Sequence, residues 1–220
     1  KKIILSYILL FLAPVTFATE LIPKTPHINA KAYILIDNSN GSVIAQKDSD
    51  KKLPPASLTK LMTSYIASYQ LQQGILQLQD DVHVSHKAWK AQGSRMFIEV
   101  NKQIKLTDIL KGIIIQSGND ASIALAEHIA TTEDEFALLM NKFATTLGMQ
   151  NTSFKNATGL PQQGHYTTAQ DLAILASHII SEVPALYALY AQKSYTYNNI
   201  KQFNRNKLLW IDKSVDSLKT

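Results

Sequence analysis

The 220-residue sequence contains no cysteine, which excludes disulfides, thiolate metal sites and a cysteine nucleophile. Glycine is scarce at 8 residues, and neither G-x-G-x-x-G nor G-x-x-x-x-G-K-[ST] occurs, so the common nucleotide-binding loops are absent. The six histidines show no H-E-x-x-H or other ligand spacing and read as surface or packing residues rather than a metal site. No dense Lys/Arg block with interleaved aromatics occurs, and the net charge is only +5, so nucleic acid is not an expected partner. The hydrophobic share of 45% excludes overall disorder. The length allows one domain or a domain and a half.

The first 18 residues, KKIILSYILLFLAPVTFA, have the three-part layout of a secretory signal peptide: a basic start, an apolar run Ile3–Leu12, and small residues Thr16 and Ala18 around Phe17. The run is shorter than the roughly 20 residues a membrane span needs, so cleavage after Ala18 is expected. Its removal leaves 20 basic against 17 acidic residues, a net +3.

Beyond the leader, residues 19–30 read as an extended lead-in. Ala32–Asp37 and Ser42–Lys47 flank Asn38-Ser-Asn-Gly41 and read as a β-hairpin. From Ser57 the spacing turns helical through Leu58, Leu61, Met62, Tyr65, Ile66 and Tyr69, and Gly74 closes that helix. Further helices are expected over Ile109–Ile115 with a Thr107 or Asp108 cap, and over Asp120–Ala130, Thr132–Leu147 and Thr168–Ile180. Residues 80–100 look short and mixed, and Asn151–Gly164 reads as a loop. Ser194–Phe203 alternates like a strand. Strands at both ends with helices between fit an α/β (α+β) sandwich whose termini share one sheet.

Chemistry concentrates at Ser57-Leu-Thr-Lys60, which opens the first strong helix. Residues three apart share a helix face, so the Ser57 hydroxyl can lie beside the Lys60 amine. A serine needs a neighbour to take its proton, and a lysine can do so if burial and nearby positive charge lower its pKa. The helix N-terminus adds N–H groups and a positive dipole end, which favour an oxyanion and disfavour the ammonium. By itself the motif is weak, since about one S-x-x-K is expected by chance in a chain this long. A second copy, Ser49…Lys52, sits in a charged turn and reads as solvated loop. The second piece is Ser117-Gly-Asn119, the sequence's one S-x-N, which alone reads as a turn and N-cap.

Together these pieces resemble the penicillin-recognising serine enzymes: Ser-x-x-Lys, then Ser-x-Asn about 60 residues on, then Lys-Thr-Gly, of which Lys219-Thr220 stand here. The likeness extends to Asp37-x3-Gly41-x3-Ala45, Pro55-Ala-Ser57-Leu-Thr-Lys60-Leu-Met-Thr, Ser117-Gly-Asn-Asp120-Ala, Asn156-Ala-Thr-Gly159-Leu160, Tyr166-Thr-Thr-Ala-Gln-Asp171 and Asn204-Arg-Asn206-x-Leu-Leu-Trp210. From about residue 28 onward the chain resembles the D-alanyl-D-alanine carboxypeptidases, the low-molecular-mass penicillin-binding proteins.

That resemblance implies an antiparallel sheet flanked by helices plus a helical subdomain at about 75–160, within a catalytic domain over 19–220. It implies Ser57 as nucleophile, Lys60 as its base and Ser117 as proton carrier to the leaving D-alanine nitrogen. Asn119, Lys219 and Thr220 would hold the substrate, a peptidoglycan stem peptide ending in D-Ala-D-Ala. No metal or organic cofactor is implied, and β-lactams are expected to acylate Ser57. Export to the periplasm is implied, with inner-membrane contact through the family's C-terminal region. That region, the Lys-Thr-Gly glycine and the strands after it do not appear in these 220 residues, so the chain reads as shortened, and the portion given is expected to fold poorly and acylate slowly. Two other readings stand beside this one. A class A β-lactamase usually carries Ser-Asp-Asn and a Glu in the 156–165 loop, and neither is here. A non-catalytic wall-associated fragment would keep its effect on cells without Ser57. Trp89 and Trp210 read as core or cleft wall. Thr158 and His165 fall in the loop bordering the expected substrate, and Arg205 reads equally as carboxylate ligand or solvated surface.

Overall fold

A computed structural model describes residues 28–219. The leader at 1–18 and Thr220 lie outside the described residues. The first hairpin pairs β1 (Tyr33–Ile36) with β2 (Val43–Lys47) in antiparallel register, Tyr33 opposite Lys47. Its turn is closed by the Asp37 carboxylate, which accepts from the Ser39 amide and hydroxyl at 2.8 and 2.6 Å, the usual Asp device for a turn. A 3-10 turn over Ala56–Leu58 runs directly into α1 (Thr59–Gln72), which Gly74 ends at φ +69°.

A small hairpin of β3 (Asp81–His83) and β4 (Gln103–Lys105) encloses the short α2 (His86–Trp89). Then come α3 (Leu106–Gln116), α4 (Asn119–Ala130), α5 (Glu133–Leu147), α6 (Ala169–Glu182) and α7 (Pro184–Tyr190). The hairpin β5 (Ser194–Tyr197) and β6 (Ile200–Phe203) and α8 (Leu208–Ile211) close the described chain. No single described helix is long and apolar enough to cross a membrane.

The core sits where α1, α3, α4, α5 and α6 meet, around Met62, Ile66, Leu106, Ile109, Ile113 and Phe136. α1 is its centre: every residue from Thr59 to Ser68 is buried. A helix enclosed on all sides must satisfy its own polar groups internally. Here Ser64 Oγ donates to Lys60 O at 2.8 Å and shares a 2.7 Å bond with the Tyr190 hydroxyl. Caps follow local sequence: Thr132 Oγ1 accepts from Glu135 N to open α5, Thr168 Oγ1 accepts from Asp171 N to open α6, and Gly148 turns left-handed after α5.

The first hairpin, the main helices and the 151–164 loop match the sequence reading. Four details differ. Ser194–Phe203 is a hairpin rather than one strand, because Asn198 and Asn199 both take positive φ (48° and 62°), the geometry of a two-residue turn that Asn tolerates. α3 starts at Leu106 with Lys105 in the capping position, so Thr107 and Asp108 fall inside its first turn. Pro184 opens α7, a residue suited to a first helical turn. The terminal hairpins share no sheet: among the described residues the sheets are β1–β2, β3–β4 and β5–β6, each two-stranded. The first hairpin lies on α6 and the last on α3, so different helices hold them apart. The architecture remains helices with small antiparallel sheets.

Candidate active site

Ser57 lies in the 3-10 turn at the head of α1, after Ala56, which is held at φ 48°. A non-glycine residue there is strained, and the neighbouring chain maintains it. Gly159, itself at φ +85°, packs so closely that a Cβ on it would come within 1.8 Å of Ala56 O. Ser57 is half-buried and opens on a cavity of about 450 Å³, whose wall also carries Ser94, Asn119, Thr158, His165 and Arg205.

Lys60, three residues on, is fully buried beneath this cavity. Its Nζ donates to Asn119 Oδ1 and to Thr158 O, both at 2.7 Å. Burial, and second the positive charge of Arg205, push its pKa down to about 7, against a smaller opposing pull from Asp120. A neutral amine has two N–H groups and one lone pair. Asn119 and Thr158 occupy the two donors, which leaves the lone pair to take a proton.

Asn119 is the first residue of α4 and ties three segments together. Its Nδ2 donates to Gln92 O at 2.6 Å and its backbone N to Ser94 O at 2.7 Å, while Oδ1 accepts from Lys60. Asp120, also buried, accepts from the amides of Met96, Phe97 and Ile98 and so shapes the wall beyond. Ser117 ends α3 in a left-handed conformation (φ 59°, ψ 42°), fully buried. Its Oγ has no hydrogen-bond partner among the described residues, and a buried orphan hydroxyl at a strained position marks a functional candidate.

Loop 156–160 is built to present its carbonyls. Asn156 Oδ1 accepts from Thr158 N, Thr158 Oγ1 and Gly159 N. Glu133 Oε1 accepts from Ala157 N at 3.0 Å, and its other oxygen pairs with Lys87 at 2.8 Å. Arg205 donates to Ser94 Oγ across the cavity mouth and is the one formally charged side chain on the wall among the described residues. Asn206 Nδ2 donates to Leu218 O at 2.7 Å and so secures the backbone before Lys219, which is exposed and outside the wall of this cavity.

Of the residues read from sequence, Ser57, Lys60 and Asn119 meet at one cavity, Ser117 lies buried two residues before Asn119, Lys219 follows the segment Asn206 holds, and Thr220 is outside the described residues. Sequence reasoning placed Thr158 and Gly159 in the bordering loop without giving a role to the Thr158 carbonyl or the Gly159 close approach, and it missed Gln92 and Glu133. The run Asn156-Ala-Thr-Gly159 carries a turn signal, whereas nothing local marks Gln92 or Glu133. No group of three or more His, Asp or Glu placed to hold a metal occurs among the described residues.

Residues 19–220 match the family described as D-alanyl-D-alanine carboxypeptidase. D-alanyl-D-alanine carboxypeptidase DacC of Escherichia coli K12 is 43% identical over 98% of this chain and 56% of its own length. D-alanyl-D-alanine carboxypeptidase DacA of Haemophilus influenzae is 42% identical over 89% of this chain and 51% of its own. The crystal structure of penicillin binding protein 5 from Haemophilus influenzae superposes with a TM-score of 0.86 at 40% identity, covering 90% of this chain and 59% of that one. The chain thus spans a little over half the length of these relatives. Sequence match and shared fold agree, and the chain belongs to the D-alanyl-D-alanine carboxypeptidase family.

Proposed function

We propose that this chain carries the nucleophile half of a serine-type D-Ala-D-Ala carboxypeptidase acting on peptidoglycan stem peptides, with residues 75–160 as a helical subdomain of its catalytic domain. The observation that carries the reading is the Lys60 amine, pushed down to about pKa 7 by burial and then by the charge of Arg205, and hydrogen-bonded to Asn119 under a cavity that exposes Ser57.

In this mechanism Lys60 takes the Ser57 proton as Oγ attacks the carbonyl carbon between the two D-alanines, and the positive dipole end at the head of α1 favours the oxyanion. The C–N bond breaks, and the proton that Lys60 took from Ser57 passes through Ser117 to the departing D-alanine nitrogen, which leaves Lys60 neutral again. Water then attacks the acyl-enzyme, delivers its proton through Lys60 and frees Ser57. Asn119 orients Lys60 and the substrate amide. Arg205, Lys219 and Thr220 draw the terminal carboxylate, and the Arg205 charge also disfavours an ammonium at Lys60. β-Lactams acylate Ser57 by the same attack. The cell wall is the site of action, reached by export to the periplasm with inner-membrane contact through the C-terminal region.

Covalent labelling with a fluorescent penicillin tests this. The label maps to Ser57 by peptide mass and falls by at least about 10³-fold in Ser57→Ala. Label retained in Ser57→Ala overturns the mechanism. A cellular effect that survives the same substitution supports the non-catalytic wall-associated reading instead.

A further inference from the structure

The segment from Ala157 to His165 meets the head of α1 at successive points. Ala157 O accepts from Thr63 Oγ1 at 2.8 Å, Thr158 O accepts from Lys60, and Gly159 fits against Ala56 with no space for a methyl group. The last point is a buried contact between two side chains: His165 Nε2 lies 3.0 Å from Thr59 Oγ1. Thr59 is the first residue of α1 and stands between Ser57 and Lys60, so the group that fixes Thr59 also fixes the turn carrying Ser57.

His165 is only 7% exposed, and its ring meets Phe154 edge-on at 5.9 Å and 88°. Its Nδ1 is shut off from solvent and has no hydrogen-bond partner among the described residues. A proton on Nδ1 would leave an unpaired donor in the interior, the costlier choice. With the proton on Nε2, the ring donates to Thr59. Burial, then the charge of Lys155, hold the imidazole below its ordinary range, which keeps it neutral with this single donor. A ring nitrogen closed to water is poorly placed for proton transfer during turnover, so the arrangement favours a mechanical role.

We infer that His165 is a positioning residue: its Nε2–H docks the Thr59 hydroxyl and thereby sets Ser57 relative to Lys60 for acylation. The inference rests on reading Ser57 as the nucleophile. The test compares His165→Ala, His165→Asn, His165→Gln and Thr59→Val in the whole protein. Gln presents an amide N–H about where Nε2 stands, whereas the shorter Asn does not reach.

Expected in His165→Ala and His165→Asn is an acylation rate constant lower by about 10- to 100-fold, the scale of a misplaced reacting group, with the pre-covalent binding constant for penicillin changed less than about threefold. His165→Gln restores the rate to within about threefold. Thr59→Val loses as much as His165→Ala, and the double variant loses no more than either. Amide hydrogen exchange over residues 56–63 speeds up in the Ala and Asn variants and returns to normal in Gln. If His165→Ala fails to fold, the Asn and Gln pair carries the comparison. Wild-type acylation and unchanged exchange in His165→Asn overturn the inference, as does a His165→Gln protein no better than His165→Asn. If the wild-type protein takes no penicillin label, the reading of Ser57 fails, and exchange over 56–63 still decides whether His165 grips the turn.

Discussion

Two Ser-x-x-Lys stretches begin eight residues apart, at Ser49 and Ser57, and they end in opposite environments. Ser49 Oγ donates to Gln46 in an exposed turn, and Lys52 stands in solvent with its ammonium 4.8 Å from the centre of the Tyr166 ring. Lys60 is enclosed, hydrogen-bonded to Asn119 and Thr158, and titrates near 7. Spacing is identical and chemistry is not. A lysine becomes a base at neutral pH only when water is withdrawn from it and its donors are still met, and only the second copy has chain folded over it.

Substituting each lysine by Met breaks or sharpens this contrast most directly. Lys60→Met leaves Asn119 Oδ1 and Thr158 O without their donor and removes the proposed base, so penicillin acylation falls by about 10³-fold. Lys52→Met leaves acylation unchanged and alters stability by no more than about 1 kcal/mol, the scale of one exposed cation–π contact. Equal losses in the two variants, measured as rates of penicillin labelling, would erase the distinction.

A smaller effect is expected from Gly159→Ala, which perturbs the covering loop without touching either lysine. Its Cβ would collide with Ala56 O, so the loop or the Ser57 turn must move. The expected cost is about 2 kcal/mol in stability, read from a denaturant melt, with acylation about 10²-fold slower. A variant with wild-type rate and melt would mean the close approach is not needed.

The smallest effect is set by pH. Acylation is expected to fall about tenfold per unit below a midpoint near pH 7 as Lys60 gains its proton. An acylation rate that stays level from pH 5 to 8 would rule out a neutral Lys60 as the base. Stability follows with a definite sign. The unfolded lysine titrates at about 10.4, so between 7 and that value the unfolded chain binds a proton the folded chain does not. Lys60 therefore makes the fold more stable as pH rises through that window, and adds its full penalty below it.

Most helices and caps were legible because they are local, the α3 cap being the exception. The apolar stripe from Leu58 to Tyr69, Thr132 three residues before Glu135, and Gly148 after Leu147 each act within a turn or two of chain. The strand misread at 194–203 was also local, since Asn198-Asn199 is a turn signal once weighed against the alternation around it. Ser57 and Lys60 were legible through helical spacing, whereas Asn119 was legible through motif order alone, which does not report its distance from Lys60.

What the sequence by itself determined is the set of reactive groups and the helix ends that carry them, along with the family to which their order assigns the chain. What only the tertiary structure decided is the state of those groups. The Thr158 carbonyl, 98 residues from Lys60, closes over the amine, and Arg205 adds its positive charge from farther still. Burial and the field at a buried charge sum over everything nearby in space, and the chain brings those neighbours together only when it is folded.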